Sequence, residues 1–133
     1  MEVLLSGTRK LGLDLGEDQV LRFQRYFQEL ADWNKRTNLT AIIGSGEVQA
    51  KHFLDSLTAS LAIPTDVTAK GTLMDVGSGA GFPGLPLKIV WPGLKITLVE
   101  SVGKKAAFLR HMADALELEG VDVICERAET LAH

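Results

Sequence analysis

Between residues 17 and 36 the apolar positions fall at Val20, Phe23, Phe27, Leu30, Ala31 and Trp33. This is close to the i, i+3, i+4, i+7 spacing that lines one face of a helix. Asp14 or Gly16 suits its start, and the turn-forming "RTNLT" at 36–40 its end. A second helix is predicted over 47–61, with Val48, Leu54, Leu57 and Leu61 inward. Residues 63–71 have no periodicity and contain Pro64, which predicts a connector.

Beyond that point the pattern shortens. "TLMDV" (72–76) is a brief apolar run that ends in glycines, and "GLPLKIVW" (84–91) fits a short helix stopped by Pro92 and Gly93. "KITLVE" (95–100) is rich in β-branched residues and predicts a strand. A helix follows over 103–118 and ends near Gly120, then a third strand over 121–126. Strand alternating with helix implies right-handed crossovers and a parallel sheet. The expected fold class is therefore α/β: the first half of a Rossmann-like, doubly wound domain over 67–133, preceded by a helical segment over 1–66.

Composition narrows the function classes. A hydrophobic fraction of 46% suits a globular domain, and no apolar run is long enough to cross a bilayer. The single cysteine, Cys125, excludes an internal disulfide; a strand position and a cytoplasmic location are expected for it. Net charge is −3, so a general polyanion-coating protein is not suggested. Basic residues nonetheless cluster at Lys35–Arg36, Lys51–His52 and Lys104–Lys105. Lys104 and Lys105 fall in the first turn of the helix over 103–118, where the helix dipole disfavours cations and Ser101 is the expected cap.

The chemistry concentrates in "TLMDVGSGAGFPGLP" (72–86). Ligands of such folds bind beyond the carboxyl end of the first strand, and glycine there lets backbone approach closely. Gly79, Gly81 and Gly84 have dinucleotide spacing, whereas Asp75, Gly77, Gly79 and Gly81 have the spacing of S-adenosylmethionine (SAM) sites. Charge separates the two readings. Asp75 would repel a pyrophosphate but favours the ammonium and sulfonium of SAM. Pro83 and Pro86 also remove N–H groups that a phosphate would need. Glu100 ends the second strand, where either cofactor class wants a carboxylate on its ribose hydroxyls. His52, Asp55 and Ser56 share a helix face, but no nucleophile elbow accompanies them and a structural hydrogen-bond cluster is expected. No metal site is expected.

Taken together, "WNKRTNLT" (33–40), "KHFLDSL" (51–57), "MDVGSGAGFPGLPLKIVWP" (74–92), "TLVESVGKKAAFLR" (97–110) and "ERAET" (126–130) resemble the bacterial small-subunit ribosomal RNA methyltransferase G family, RsmG or GidB. The resemblance implies a class I SAM-dependent methyltransferase fold and transfer of a methyl group to N7 of a guanosine in the 530 loop of 16S rRNA. It implies that Gly77 and Phe82 contact SAM, that Asp75 shapes the loop at the methionine end, that Glu100 takes the ribose, and that Ala128 and Glu129 lie along the adenine. Gly79 and Gly81 complete the cofactor loop. Lys35, Arg36, His52, Lys104 and Lys105 are candidates for contact with RNA, the 16S rRNA or small subunit being the expected partner.

Members of the family run past 200 residues with about seven strands, so the sheet is expected to be cut short after three. An arginine that the family places further along is missing with the rest. The first strand would then have an unpaired edge open to strand-swapped association. Two alternatives remain: a SAM methyltransferase acting on another RNA or a small molecule, and a non-catalytic RNA- or ribosome-binding module. A dehydrogenase stands third.

Overall fold

The computed structural model describes residues 1–41, 44–127 and 129. Its centre is a parallel sheet of β1 (Thr72–Val76), β2 (Lys95–Val99) and β3 (Val121–Ile124), in the order β1-β2-β3. Registers pair Asp75 with Leu98 and Leu98 with Val123. The crossovers are α6 (Gly84–Val90) between β1 and β2, and α7 (Gly103–Ala115) between β2 and β3. This is the Rossmann-like α/β arrangement expected from the alternation of elements, shortened to three strands and preceded by helices. Among the described strands β1 forms an edge. Its Met74 and Val76 are 58% and 54% exposed, whereas parallel sheets ordinarily bury both faces.

The helices ahead of the sheet are α1 (Glu2–Lys10), α2 (Glu17–Asn34), α3 (Ser45–Glu47), a π-helix (Val48–Leu54), α4 (Asp55–Thr58), a 3₁₀ turn (Ala59–Ala62) and α5 (Thr65–Lys70). Helix α2 starts at Gly16, whose N–H donates to the Gln19 side chain, and buries Phe23, Tyr26 and Leu30. Tyr26, absent from the predicted face, is one of its fully buried residues; Phe27 only packs at the rim of the core.

Two predicted elements differ, and one helix has no counterpart among the predicted elements. The single helix over 47–61 is a composite, because the π-helical i→i+5 bonds take up an extra residue and turn the face. Phe53 is buried in consequence and Leu61 is 68% exposed. The connector over 63–71 contains α5, with Pro64 in its N-cap position. Residues 2–10 form α1, whose Leu4 N–H donates to the buried Gln49 side chain at 2.9 Å.

One continuous core joins these helices to the sheet, with Phe23, Tyr26 and Phe53 meeting Leu85, Leu98 and Phe108. The interface of α2 and α7 adds polar links. Trp33 packs edge-on against Phe108. The Glu29 carboxylate joins His111 Nε2 at 2.7 Å and Arg25 Nε at 2.9 Å. Burial pushes the Glu29 carboxyl up, but these two partners outweigh it and hold it below its ordinary range. Lys88 is buried, and its Nζ donates to the Pro92 and Leu94 carbonyls at 2.6 Å each, fastening the end of α6 to the start of β2.

Candidate cofactor cleft

The β1–β2 ladder runs on past β1, since the Gly77 and Ser78 N–H groups both donate to the Val99 carbonyl. The chain must then turn sharply. Gly77 does so at φ +75°, a conformation that side-chain-bearing residues rarely adopt, and a Cβ there would meet no atom within 4 Å. The backbone at Gly77 thus faces open space. Gly81 is the opposite case, with φ +99° and a Cβ position only 2.5 Å from the Tyr26 hydroxyl.

Two carboxylates secure the loop. Asp75, the buried residue next to the end of β1, accepts the Gly84 N–H on Oδ2 at 3.0 Å, and its carbonyl accepts the Ser78 hydroxyl. It therefore ties the strand to the first residue of α6. Burial raises its carboxyl above the usual range, which the Gly84 amide and Ser78 hydroxyl only partly offset. Glu100 is 5% exposed and spans two loops: Oε1 accepts the Gly79 N–H and Oε2 the Val102 N–H, both at 2.9 Å. The start of α7 is satisfied in this way. Val102 holds the cap position, and the expected Ser101 side-chain cap does not form.

Beyond the carboxyl ends of the strands lies a cleft of about 420 Å³. Val76 and Gly77 border it from β1, Val99 and Ser101 from β2, and Glu126, Arg127 and Glu129 from the segment after β3. Its position follows the rule for open α/β sheets, and its volume falls in the range of small-molecule sites. Of the predicted cofactor residues, Gly77 and Glu129 border the cleft, while Gly79 and Glu100 are joined to each other and are not among its border residues. Asp75 and Gly81 support the loop from the protein side. Ala128 lies outside the described residues. Ser101 and Arg127 are additional border residues; their only sequence signal was their place just after a strand end.

Phe82 is engaged differently. Its ring is parallel to Tyr26 at 5.5 Å and to His52 at 4.3 Å. His52 Nε2 is 2.8 Å from the Thr40 hydroxyl, and burial lowers its pKa, Asp55 only partly opposing this. The neighbouring Ser56 hydroxyl donates to the His52 backbone carbonyl, and Asp55 is exposed. The trio is thus no catalytic array. Among the other RNA candidates, Lys35 stands 3.7 Å from Asp32, the Arg36 guanidinium lies over Trp33, and Lys104 is exposed at the start of α7 with Lys105 half-buried. Cys125 is exposed just past β3, not buried in it.

The model of the family described as rRNA small subunit methyltransferase G, GidB, matches residues 19–133. The chain belongs to this family. Curated relatives named "Ribosomal RNA small subunit methyltransferase G" agree with that membership. The protein of Roseiflexus sp. (strain RS-1) is 53% identical over all 133 residues, which cover 56% of its own length. That of Roseiflexus castenholzii is 50% identical over the same span, again 56% of its length. That of Staphylococcus saprophyticus is 48% identical over 119 residues, 90% of this chain and 49% of the relative. The chain therefore spans about half the length of these GidB-family proteins.

Among the described residues no helix is long and apolar enough to cross a membrane, and no group of three or more potential ligands could hold a metal ion.

Proposed function

We propose that the cleft takes S-adenosylmethionine and that the chain is the N-terminal part of an enzyme methylating N7 of a guanosine in the 530 loop of 16S rRNA. The observation that carries the cofactor reading is the charge around the cleft. Glu126 and Glu129 border it, and the buried Asp75 and Glu100 directly adjoin the border residues Val76, Val99 and Ser101 in the chain, while Arg127 is the one cation among the border residues. Such a site disfavours a dinucleotide pyrophosphate and suits a cation. The open backbone at Gly77 fits a ligand brought close to the loop. A carboxylate offers about four lone-pair sites, so Glu100 can accept ribose hydroxyls without releasing Gly79 or Val102. The family membership supports the rRNA reading.

When bound, the cofactor supplies a methyl group on a sulfonium, already an excellent leaving group. Guanine N7 has an in-plane lone pair and no proton, so no residue need act as a base. The chain's own residues orient. Asp75 fixes the loop against α6, Glu100 holds it to the β2–α7 turn, and Glu129 borders the side assigned to the adenine. Productive alignment brings reacting atoms to within about 3–3.5 Å. N7 lies in the deep major groove of an RNA helix, so the target nucleotide must be looped out for N7 to reach the methyl group, with Lys104, Lys105 and the helical segment available to its backbone.

The test is transfer of a labelled methyl group from SAM to 16S rRNA by the whole enzyme of which this chain is proposed to be the N-terminal part, with the product mapped by cleavage at N7-methylguanosine. Label at a guanosine of the 530 loop supports the proposal. Salt-sensitive RNA binding without any transfer would overturn it in favour of a binding module, and label on another RNA would overturn the substrate assignment.

A further inference from the structure

The loop after β1, whose Gly77 borders the cleft, does not stand on the sheet alone. Two helices ahead of β1 reach it at the Phe82 ring and the Ala80 carbonyl. Tyr26 of α2 and His52 of the π-helix both lie parallel to the Phe82 ring, within 5° and 9°. Each is separately fixed. The Tyr26 hydroxyl donates to the Ala80 carbonyl at 2.6 Å, and full burial keeps it protonated and a donor. The His52 ring is held by the Thr40 hydroxyl on the segment after α2. Phe53, the next residue of the π-helix, contacts Tyr26, Phe82 and Phe23. π-Helical turns cost hydrogen-bond geometry and occur often at functional sites; this one presents His52 and Phe53 to the loop together.

Sheet-side contacts hold the first half of the loop, Gly77 and Ser78 through Val99 and Gly79 through Glu100. In the second half, residues 80–82, the Gly81 and Phe82 N–H groups turn back onto the Ser78 carbonyl and the Gly81 carbonyl accepts from Leu85, and Tyr26 and His52 add the contacts that come from the helices. At Gly81 the approach is so close that no Cβ fits beside the Tyr26 hydroxyl. We infer that Tyr26 and His52 are positioning residues for cofactor binding, which set the second half of the glycine loop through Phe82 and Ala80 and make the helical segment part of the cofactor site. The inference rests on the SAM reading of the cleft. Glu100 and Glu129 are assigned the ribose and adenine, so the loop is left with the amino-acid end of the ligand. Disturbing the stack then penalises a ligand carrying that end and spares one lacking it.

Two readouts test this on the protein and its Tyr26→Phe, His52→Ala and His52→Phe variants. The first is amide hydrogen exchange, which needs no ligand. His52→Ala and Tyr26→Phe are expected to speed exchange at Gly81 and Phe82 while β2 amides keep their protection, and His52→Phe, which restores a ring, is expected to reverse the effect. The second is affinity for S-adenosylhomocysteine against 5′-methylthioadenosine, which lacks the amino-acid group. His52→Ala and Tyr26→Phe should weaken the former roughly five- to tenfold, the equivalent of losing one ring pair or one hydrogen bond, and leave the latter within about twofold. Unchanged loop exchange, exchange raised equally throughout the sheet, or equal weakening of both ligands would overturn the inference and leave the stack a core contact. Wild-type protein that binds neither ligand yet shows the local change in exchange would refute the SAM reading while supporting the positioning of the loop.

Discussion

Replacing Glu100 with alanine removes one carboxylate and frees two backbone amides at once. Both bonds are 2.9 Å and charge-assisted, and the side chain is 5% exposed. Hydrogen bonds to charged groups contribute about 1.5–3 kcal/mol each, so the two together set an upper limit near 6 kcal/mol. The loss is smaller in practice. Val102 is exposed and Gly79 half-buried, so water can replace the carboxylate at both amides, and the variant escapes the cost of burying a charge. A net destabilisation of about 2–3 kcal/mol is expected. Glu100→Gln retains one acceptor but turns an NH₂ toward the other amide, and should fall between, at about 1–2 kcal/mol. Urea denaturation followed by Trp33 and Trp91 fluorescence measures both. A change below about 0.5 kcal/mol in the alanine variant would show that Glu100 does not hold the loops together. Loss of S-adenosylhomocysteine binding in a variant that remains folded under the assay conditions would add the ribose role to the structural one.

Asp75→Asn keeps an oxygen for the Gly84 amide and deletes the charge. Because the folded carboxyl is raised, Asp75 supports the fold below its unfolded pKa and loses that contribution as pH rises through the folded value, so the advantage of the asparagine variant should grow with pH through the carboxylate range; an advantage that shrinks would contradict the burial argument. Glu29 has the opposite sign: its lowered carboxyl gives stability above the unfolded pKa that is lost as pH falls through the folded one, and Glu29→Gln should flatten acid unfolding monitored by circular dichroism. Gly81→Ala must place a Cβ against Tyr26 and Leu85 at positive φ, at an expected cost of about 2–4 kcal/mol in thermal unfolding, and a neutral result would refute the close approach. Lys88→Met fills similar volume but leaves the Pro92 and Leu94 carbonyls without their lysine, and should cost about 1–3 kcal/mol in denaturant.

The sheet was legible because its signals are local. A β-branched run, a glycine loop and an amphipathic helix each sit within a few residues, and their alternation dictates parallel crossovers. The helical segment was less so. A π-helix has no signature in apolar spacing that assumes 3.6 residues per turn, and the face predicted through Leu61 drifted off the core for that reason. Tyr26 escaped notice because its hydroxyl suits a surface; only the Ala80 carbonyl, 54 residues away, explains its burial. Within the site, the glycines and carboxylates marked the turn after β1 and the end of β2, where the cleft opens, but not how the carboxylates are used. Asp75 and Glu100 spend oxygens on the amides of Gly84, Gly79 and Val102, partners set by loop geometry rather than by spacing along the chain.

On the proposed reading, the cleft at the strand ends selects S-adenosylmethionine chemistry over a dinucleotide. Calorimetric titration of the protein with S-adenosylhomocysteine, with NAD as the control, decides between the two ligand classes. Saturable heat with S-adenosylhomocysteine and none with NAD is the predicted result; selective binding of NAD, or no binding of S-adenosylhomocysteine, would contradict it.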